Sequence, residues 1–394
     1  MSRRSARAPI DVVLTVVAAI IAAGLIAGLV VLWPSEEPTA PSDALARGDL
    51  VEAVVEDVDP EGCSAQVGVD PSITCVRVRF RLEGGVEAGR TVSIDVTDAA
   101  IAPDLVPGDQ VILEDLLTDV PGMPYALYDR DRADPLAWLA LGFAALVVLL
   151  GRMRGFAALV GLALSLFLLL WFVLPAILEG RSPTLVASVG AGVIAYLVIY
   201  LAHGLTVRTT VAVLGTAAGV ALAVVLSMVW VPLAELTGLV TETAYVIQAT
   251  GVAIDPSGLL LAGIVIGALG AIDDVSVTQA SAVWELHEAD PSADGRGLFR
   301  AGMRVGRDHV GSIVNTLALA YVGASLPLLI VFRLSDLSLG RIVGSEIVAT
   351  EIVRALVGSV GLVASMPITT WLAARVAGAR RARTDPLRVS VDER

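Results

Sequence analysis

Two adjacent aspartates, Asp273 and Asp274, stand in "GALGAIDDVSVTQASAVWEL", Gly267 to Leu286, inside a segment otherwise apolar enough to cross a membrane. Counted from Leu259, a ~30 Å hydrocarbon core at 1.5 Å per residue ends near Thr278, which leaves both carboxyl groups about 6 to 8 Å inside the cytoplasmic edge. A charged aspartate costs about 2.5 to 3.5 kcal/mol at the centre of a span and somewhat less off centre. Such a pair implies a compensating role, and binding a proton or small cation is the chemistry that buried carboxylates offer. Gly263, Gly267, Gly270, Asp274, Thr278, Ser281 and Glu285 step by three or four residues and share one helical face. Small and then polar, that face is expected to look away from lipid, into the bundle or an aqueous cavity. Asp273 points about 100° away from it. Asp274 is therefore the first choice of ion-binding group, with Asp273 as its coupled neighbour.

The next apolar segment offers a matching stripe of Asp308, Ser312 and Asn315 with Thr316 adjacent, and Asn315 is a natural hydrogen-bonding partner for an aspartate. In the last segment Glu351 and Arg354 are spaced for an i, i+3 pair near the outer boundary, favouring an interfacial salt bridge over a site. Arg296, Arg300, Arg304 and Arg307 fall on one stripe, read first as a cytoplasmic helix lying on anionic lipid. A sharper reading pairs Arg307 with Glu285 as a gate, Asp308 beside it.

Enzyme signals are weak. "HEADP" begins like a zinc helix, but Pro291 stands where the second histidine is needed, and the chain has 3 histidines in all. Asp273 and Asp274 diverge from one helix and cannot converge on one water as an aspartyl dyad does. All 27 basic residues are arginine, so Schiff-base chemistry and a lysine-bearing phosphate loop are both excluded. An enzyme is not expected, no cofactor is implied, and no metal is assigned.

These residues need a membrane scaffold, and the composition supplies one: 394 residues, 56% hydrophobic and 17% charged. A retained anchor from Ile10 to Trp33 follows three arginines. Further spans are predicted at Pro135–Leu150, Gly155–Leu178, Pro183–Ala202, Thr209–Val231, Gly258 to about Ala280, Val310–Phe332 and Ile352–Ala374, about eight in all. The stretch Pro232–Pro256 is too polar to span and reads as an exterior loop with an interfacial or re-entrant helix. Arginines cluster at alternate ends, so the positive-inside rule places both termini in the cytoplasm. Domains are expected at 1–33 (N-terminus and first helix), 34–133 (an extracytoplasmic acidic module), 134–376 (seven helices) and 377–394 (a basic tail). The module holds 21 acidic residues against 7 arginines, a surface that repels nucleic acid. Its segments "LVEAVVEDV", "TCVRVRFRL", "RTVSIDV" and "DQVILED" alternate with period two between turns such as "EGG" and "VPGD", which predicts a small all-β barrel of the OB or SH3-like kind. Outside the cytoplasm, Cys63 and Cys75 are expected to form a disulfide. Arg77, Arg79 and Arg81 alternate along one strand, as a solvated face does.

"GALGAIDDVSVTQASAVWEL", "AGMRVGRDHVGSIVNTLALAYVGASLPLLIVF" and "EIVRALVGSVGLVASMPITTWLAA", in this order, resemble the YibE/F-like family of bacterial multi-pass membrane proteins. The resemblance implies a bacterial plasma-membrane protein, favours Asp273 as the matching aspartate, and supplies no substrate. A looser similarity in the order of elements relates the chain to proton-driven permeases of the resistance-nodulation-division type. Two functions are weighed. One is an ion- or proton-coupled transporter of a small solute using the Asp/Asn site. The other is a non-transporting envelope assembly or stress-response partner acting through the β module. Expected partners are membrane lipids, a proton or small cation, and a second copy or an envelope protein, with no nucleic acid.

Overall fold

A computed structural model describes residues 9–35, 48–60, 76–96, 105–116, 125–240, 245–247, 252–335 and 337–384. Cys63 and Cys75 lie outside the described residues. The chain divides into two units, one of residues 40–146 and one of residues 1–39 with 147–394.

The smaller unit contains a five-stranded antiparallel sheet: β1 (Leu50–Asp59), β2 (Val76–Leu82), β3 (Thr91–Val96), β4 (Gln110–Asp115) and β5 (Tyr125–Arg130). Their order is β3-β2-β1-β4-β5, and the sheet curls until its two edge strands meet. Period-two patterning dictates the core: Val76, Val78, Phe80 and Leu82 point inward against Val55, Val92 and Val111, while the intervening arginines point outward. Each outward arginine meets a carboxylate on its own sheet: Arg77 meets Asp95 at 2.6 Å, Arg79 meets Asp57 at 2.8 Å, and Arg81 meets Glu56 at 3.4 Å. The "EGG" and "VPGD" turns form as expected, with Gly85 at φ 75° and Gly108 at φ 99°, backbone that favours glycine. Tyr125 opens β5 and donates to Glu87 in the β2–β3 turn at 3.0 Å. Burial and the neighbouring carboxylate push its phenol above the ordinary range.

The larger unit is helical. Its elements are α1 (Pro9–Val31), α2 (Ala133–Leu168, whose first turns belong to the smaller unit), α3 (Leu174–Leu178), α4 (Pro183–His203), α5 (Val207–Leu233), α6 (Pro256–Ala289), α7 (Gly295–Ala324), α8 (Leu326–Leu334), α9 (Leu339–Val343) and α10 (Glu346–Thr384). Among the described residues six helical stretches are long and apolar enough to cross a membrane, or seven if the bent pair α7–α8 is one crossing. The sequence reading of about eight counts two spans at 133–178, where the count of six takes one stretch of 46 residues. That length would reach about 69 Å, far beyond a ~30 Å core. The stretch is broken at Arg152, whose φ of 51° and ψ of −131° are not helical. Pro175 lacks an N–H and crowds the preceding turn, and a π-helical turn at Leu169–Val173 absorbs it between α2 and α3. Pro327 marks the 63° bend between α7 and α8.

Capping fixes where the site-bearing helices begin. Thr206 accepts from the Thr209 amide at 3.2 Å, Asp255 from Ser257 at 3.1 Å, and Asp294 from Gly297 at 2.7 Å. α1 is held at both levels: Tyr196 donates to the Ala18 carbonyl at 3.0 Å, and Arg181 donates to the Trp33 carbonyl at 3.0 Å while paired with Glu179.

The core of the unit is α5, α6 and α10. A β-carbon on Gly219 would lie 2.7 Å from Ile272 of α6 and 3.1 Å from the Gly361 carbonyl of α10, and one on Gly361 would lie 3.1 Å from the Gly219 carbonyl. The two glycines face each other, and no larger residue fits between the backbones. Gly215 likewise abuts Thr369. Rising numbers on α5 meet falling numbers on α10, so these two helices are antiparallel. α6 runs with α10, since Ala268 meets Gly358 and Ile272 meets Gly361. Replacing Gly219 by valine should therefore overpack the crossing and cost about 1–3 kcal/mol. Thermal unfolding of the detergent-solubilised protein checks this: Gly219→Val should melt several degrees lower, and Gly263→Val, beside open space, should not.

Candidate functional site

On α6 the bundle buries the stripe Ala268, Leu269, Ile272, Val275, Ser276, Gln279 and Val283. Asp273 sits at the margin of this stripe and is half-buried, with its Oδ1 atom fully enclosed and without a hydrogen-bond partner. One turn further, the Ser276 hydroxyl is also buried without a partner, and so is the Thr216 hydroxyl on α5. Gly219 meets Ile272 and the two helices are antiparallel, so Thr216, three residues before Gly219, lies level with Val275 and Ser276. A carboxylate and two hydroxyls with unused hydrogen-bonding capacity thus lie within about one helical turn of one another along the bundle.

The expected stripe on α6 meets α7 at two points, Gly267 beside the Tyr321 hydroxyl and Thr278 in a small cavity with Val310 and Ile313, and is otherwise uncovered. Gly263, Gly267, Gly270, Asp274, Thr278 and Glu285 are exposed, and Ser281 is half-buried. Gly263 and Gly270 have open space beside them. The reason is that α6 is approached closely on its other side, where glycines of α5 and α10 supply the small residues. Neither aspartate is hydrogen-bonded to Asn315 or to any other described residue, and Asp274 is the exposed member of the pair. Ser312, Asn315 and Thr316 lie exposed on α7, Thr316 spending its hydroxyl on the Ser312 carbonyl at 2.9 Å. Arg307, Asp308 and Glu285 are exposed and form no ion pair among the described residues, so the gate pairing is not made here.

Glu351 and Arg354 do pair, at 2.8 Å on one face of α10. They line a cavity of about 240 Å³ with Leu259, Leu260, Ile347 and Thr350 at the end of the bundle where α6 begins. The i, i+3 pair forms as the spacing predicts, and the cavity gives it a largely apolar surround.

The residue that sequence reasoning passed over is Gln279. It is 2% exposed, and its Nε2 donates to the Gly302 carbonyl of α7 at 2.7 Å and to the Thr370 hydroxyl of α10 at 2.9 Å. Thr370 passes its own proton to the Met366 carbonyl at 2.7 Å. One amide therefore ties three helices, and Gly302 and Gly306 make room for it: a β-carbon on Gly306 would lie 2.8 Å from Nε2. The signal was present in the opening stretch, as a neutral amide within an apolar span. Gln279→Leu leaves the Thr370 hydroxyl and a buried carbonyl one donor short and should cost about 1–3 kcal/mol. Unfolding in graded denaturing detergent checks it. Thr370→Val should cost less, and the double variant less than the two single costs added, because both remove the same bond.

No curated protein and no solved structure matches the chain. A family model does: the one described as YibE/F-like protein matches residues 139–379, from the first turns of α2 to the end of the apolar part of α10. The match takes in more than half of the sequence, including the aspartate pair, the Gln279 tie and the glycine crossing, and the chain belongs to the YibE/F-like family.

Proposed function

We propose that this protein is a proton- or small-cation-coupled transporter of a small solute, in which Asp273 takes up the ion. The observation that carries the reading is the enclosed, unpartnered Oδ1 of Asp273, with two unpartnered hydroxyls about one helical turn further along the bundle. Buried polar groups are almost always satisfied, and one that is not has a cost that a purely structural residue would not incur. A carboxylate serving as helix glue would be expected to show a partner such as Asn315, and neither aspartate does. The weight therefore moves from Asp274 to Asp273, with Ser276 and Thr216 as the neighbours able to share a proton or coordinate a cation.

In this reading the chain crosses a bacterial plasma membrane about eight times, the break at Arg152 dividing 133–178 into two crossings and α7–α8 forming one bent crossing. Both termini are cytoplasmic and the β unit lies outside. The alternative, an envelope partner acting through that unit, gains nothing from the arginine ladder of β2, which is spent on carboxylates of the same sheet.

Purified protein in liposomes separates the two. With a membrane potential imposed, wild-type protein should move protons or sodium, reported by trapped dyes. Asp273→Asn should fall to the level of empty liposomes, and Asp274→Asn should keep most of the flux. Flux in Asp273→Asn equal to wild type, at equal reconstitution, would sink the proposal; so would wild-type protein carrying nothing.

A further inference from the structure

At the opposite end of the bundle from the Glu351–Arg354 cavity, a cleft of about 680 Å³ opens between the first turns of α7 and the last turns of α10. Its formation follows from two glycines. A β-carbon on Gly378 would lie 3.1 Å from the Gly295 backbone, and one on Gly295 would lie 3.3 Å from the Ala374 carbonyl. This close approach brings Arg296 and Arg300 of α7 to the same cleft as Arg375 and Trp371 of α10, with Phe299 and Ala374 forming apolar wall.

The three guanidinium groups form no ion pair among the described residues, and Arg375 lies over the Trp371 ring at 5.2 Å. The single carboxylate in the lining, Asp294, is already engaged as the cap of α7. Three unpaired cations around one cleft repel one another, and an anion held between them relieves that repulsion. Guanidinium groups match phosphate oxygens in geometry and are more weakly hydrated than ammonium. Trp371 is half exposed near the end of the α10 span, the depth at which indole rings sit among lipid headgroups.

We propose that this cleft is a specific binding site for an anionic phospholipid, its phosphodiester held by Arg296, Arg300 and Arg375 and its glycerol and upper acyl carbons lying along Trp371. The site is narrower than the basic stripe of α7 as a whole: Arg304 and Arg307 lie on the same helix and outside the cleft. Two helices from different parts of the chain build it, so a bound lipid bridges α7 to α10.

Native mass spectrometry of the full chain tests this, after exchange into mixed micelles of phosphatidylglycerol and phosphatidylcholine. The wild type should retain phosphatidylglycerol preferentially. Replacing Arg296, Arg300 and Arg375 together by Gln should lower its affinity for that lipid by about five-fold per arginine, roughly 100-fold in total. Arg300→Gln alone, which leaves the cleft wall intact, should show the single-arginine loss even if the triple variant folds poorly. The pair Arg304→Gln/Arg307→Gln should behave as wild type. The proposal is overturned if Arg300→Gln keeps the full preference, if the Arg304/Arg307 variant loses as much, or if millimolar inorganic phosphate displaces the lipid, which would make the cleft a free-phosphate site.

Discussion

The helical unit depends on how closely α5 can approach α10, and the facing pair Gly219 and Gly361 sets that distance. Between apolar helices in lipid there is no hydrophobic gain from association, so packing contacts and interhelical hydrogen bonds must hold the bundle together. Glycine at both sides of the crossing lets the two backbones come within van der Waals contact. Ile272 of α6 then fills the angle between them. Once that triple contact is made the levels along all three helices are fixed. Thr216 falls opposite Ser276, and Gln279 falls within reach of Thr370 and of α7.

The polar residues so placed are of two kinds. Ser227, Ser365, Thr369 and Thr370 are fully buried and give their hydroxyl protons to carbonyls three or four residues back on their own helices. That bond settles a serine or threonine inside a helix at little cost and leaves it chemically quiet. Thr216 and Ser276 are equally buried and do not make it. They stand about one turn from a carboxylate oxygen that also has no partner. Unsatisfied polarity in this core thus includes the neighbourhood of Asp273, with His287 Nδ1 and Arg354 Nε as further unpartnered atoms nearer the ends of the bundle.

Much of this was legible in the residues. Alternation in Val76–Leu82 specified both the inward face of β2 and its outward arginines, because a two-residue period admits only one assignment once one face is apolar. β5 was missed, since Tyr125–Arg130 is short and turns polar after Leu127. The span positions were readable from hydropathy, and the gap read between Leu150 and Gly155 holds the break at Arg152, whose positive φ depends on surrounding structure rather than on arginine itself. The glycine-to-carboxylate stripe of α6 was periodic, as read; within the chain it meets α7 only at Gly267 and Thr278 and is otherwise exposed. Which face of a helix is covered depends on the partner's residues as much as its own. Here the partners brought their own glycines, and the buried face became the one bearing Ile272, Ser276 and Gln279. The place of Asp273 at the margin of that face follows from the same rotation.

The rotation also accounts for Asn315. The first half of α7 is fastened to the bundle by Leu298, Gly302 and Gly306, the buried residues of that helix, and by the Gln279 amide. Beyond Gly306 no residue of α7 is buried, and the helix gives way to α8 through a 63° bend. Ser312, Asn315 and Thr316 lie exposed in this second half. That half packs through Val310, Ile313, Val314, Leu317 and Tyr321, which turns the exposed Asn315 away from the contact, so a pairing that spacing alone suggested is not made. The same helix is therefore buried at Leu298, Gly302 and Gly306 and only partly covered where its polar residues stand. That asymmetry is set by the positions of two glycines and one glutamine, and not by the charged residues that first drew attention to the segment.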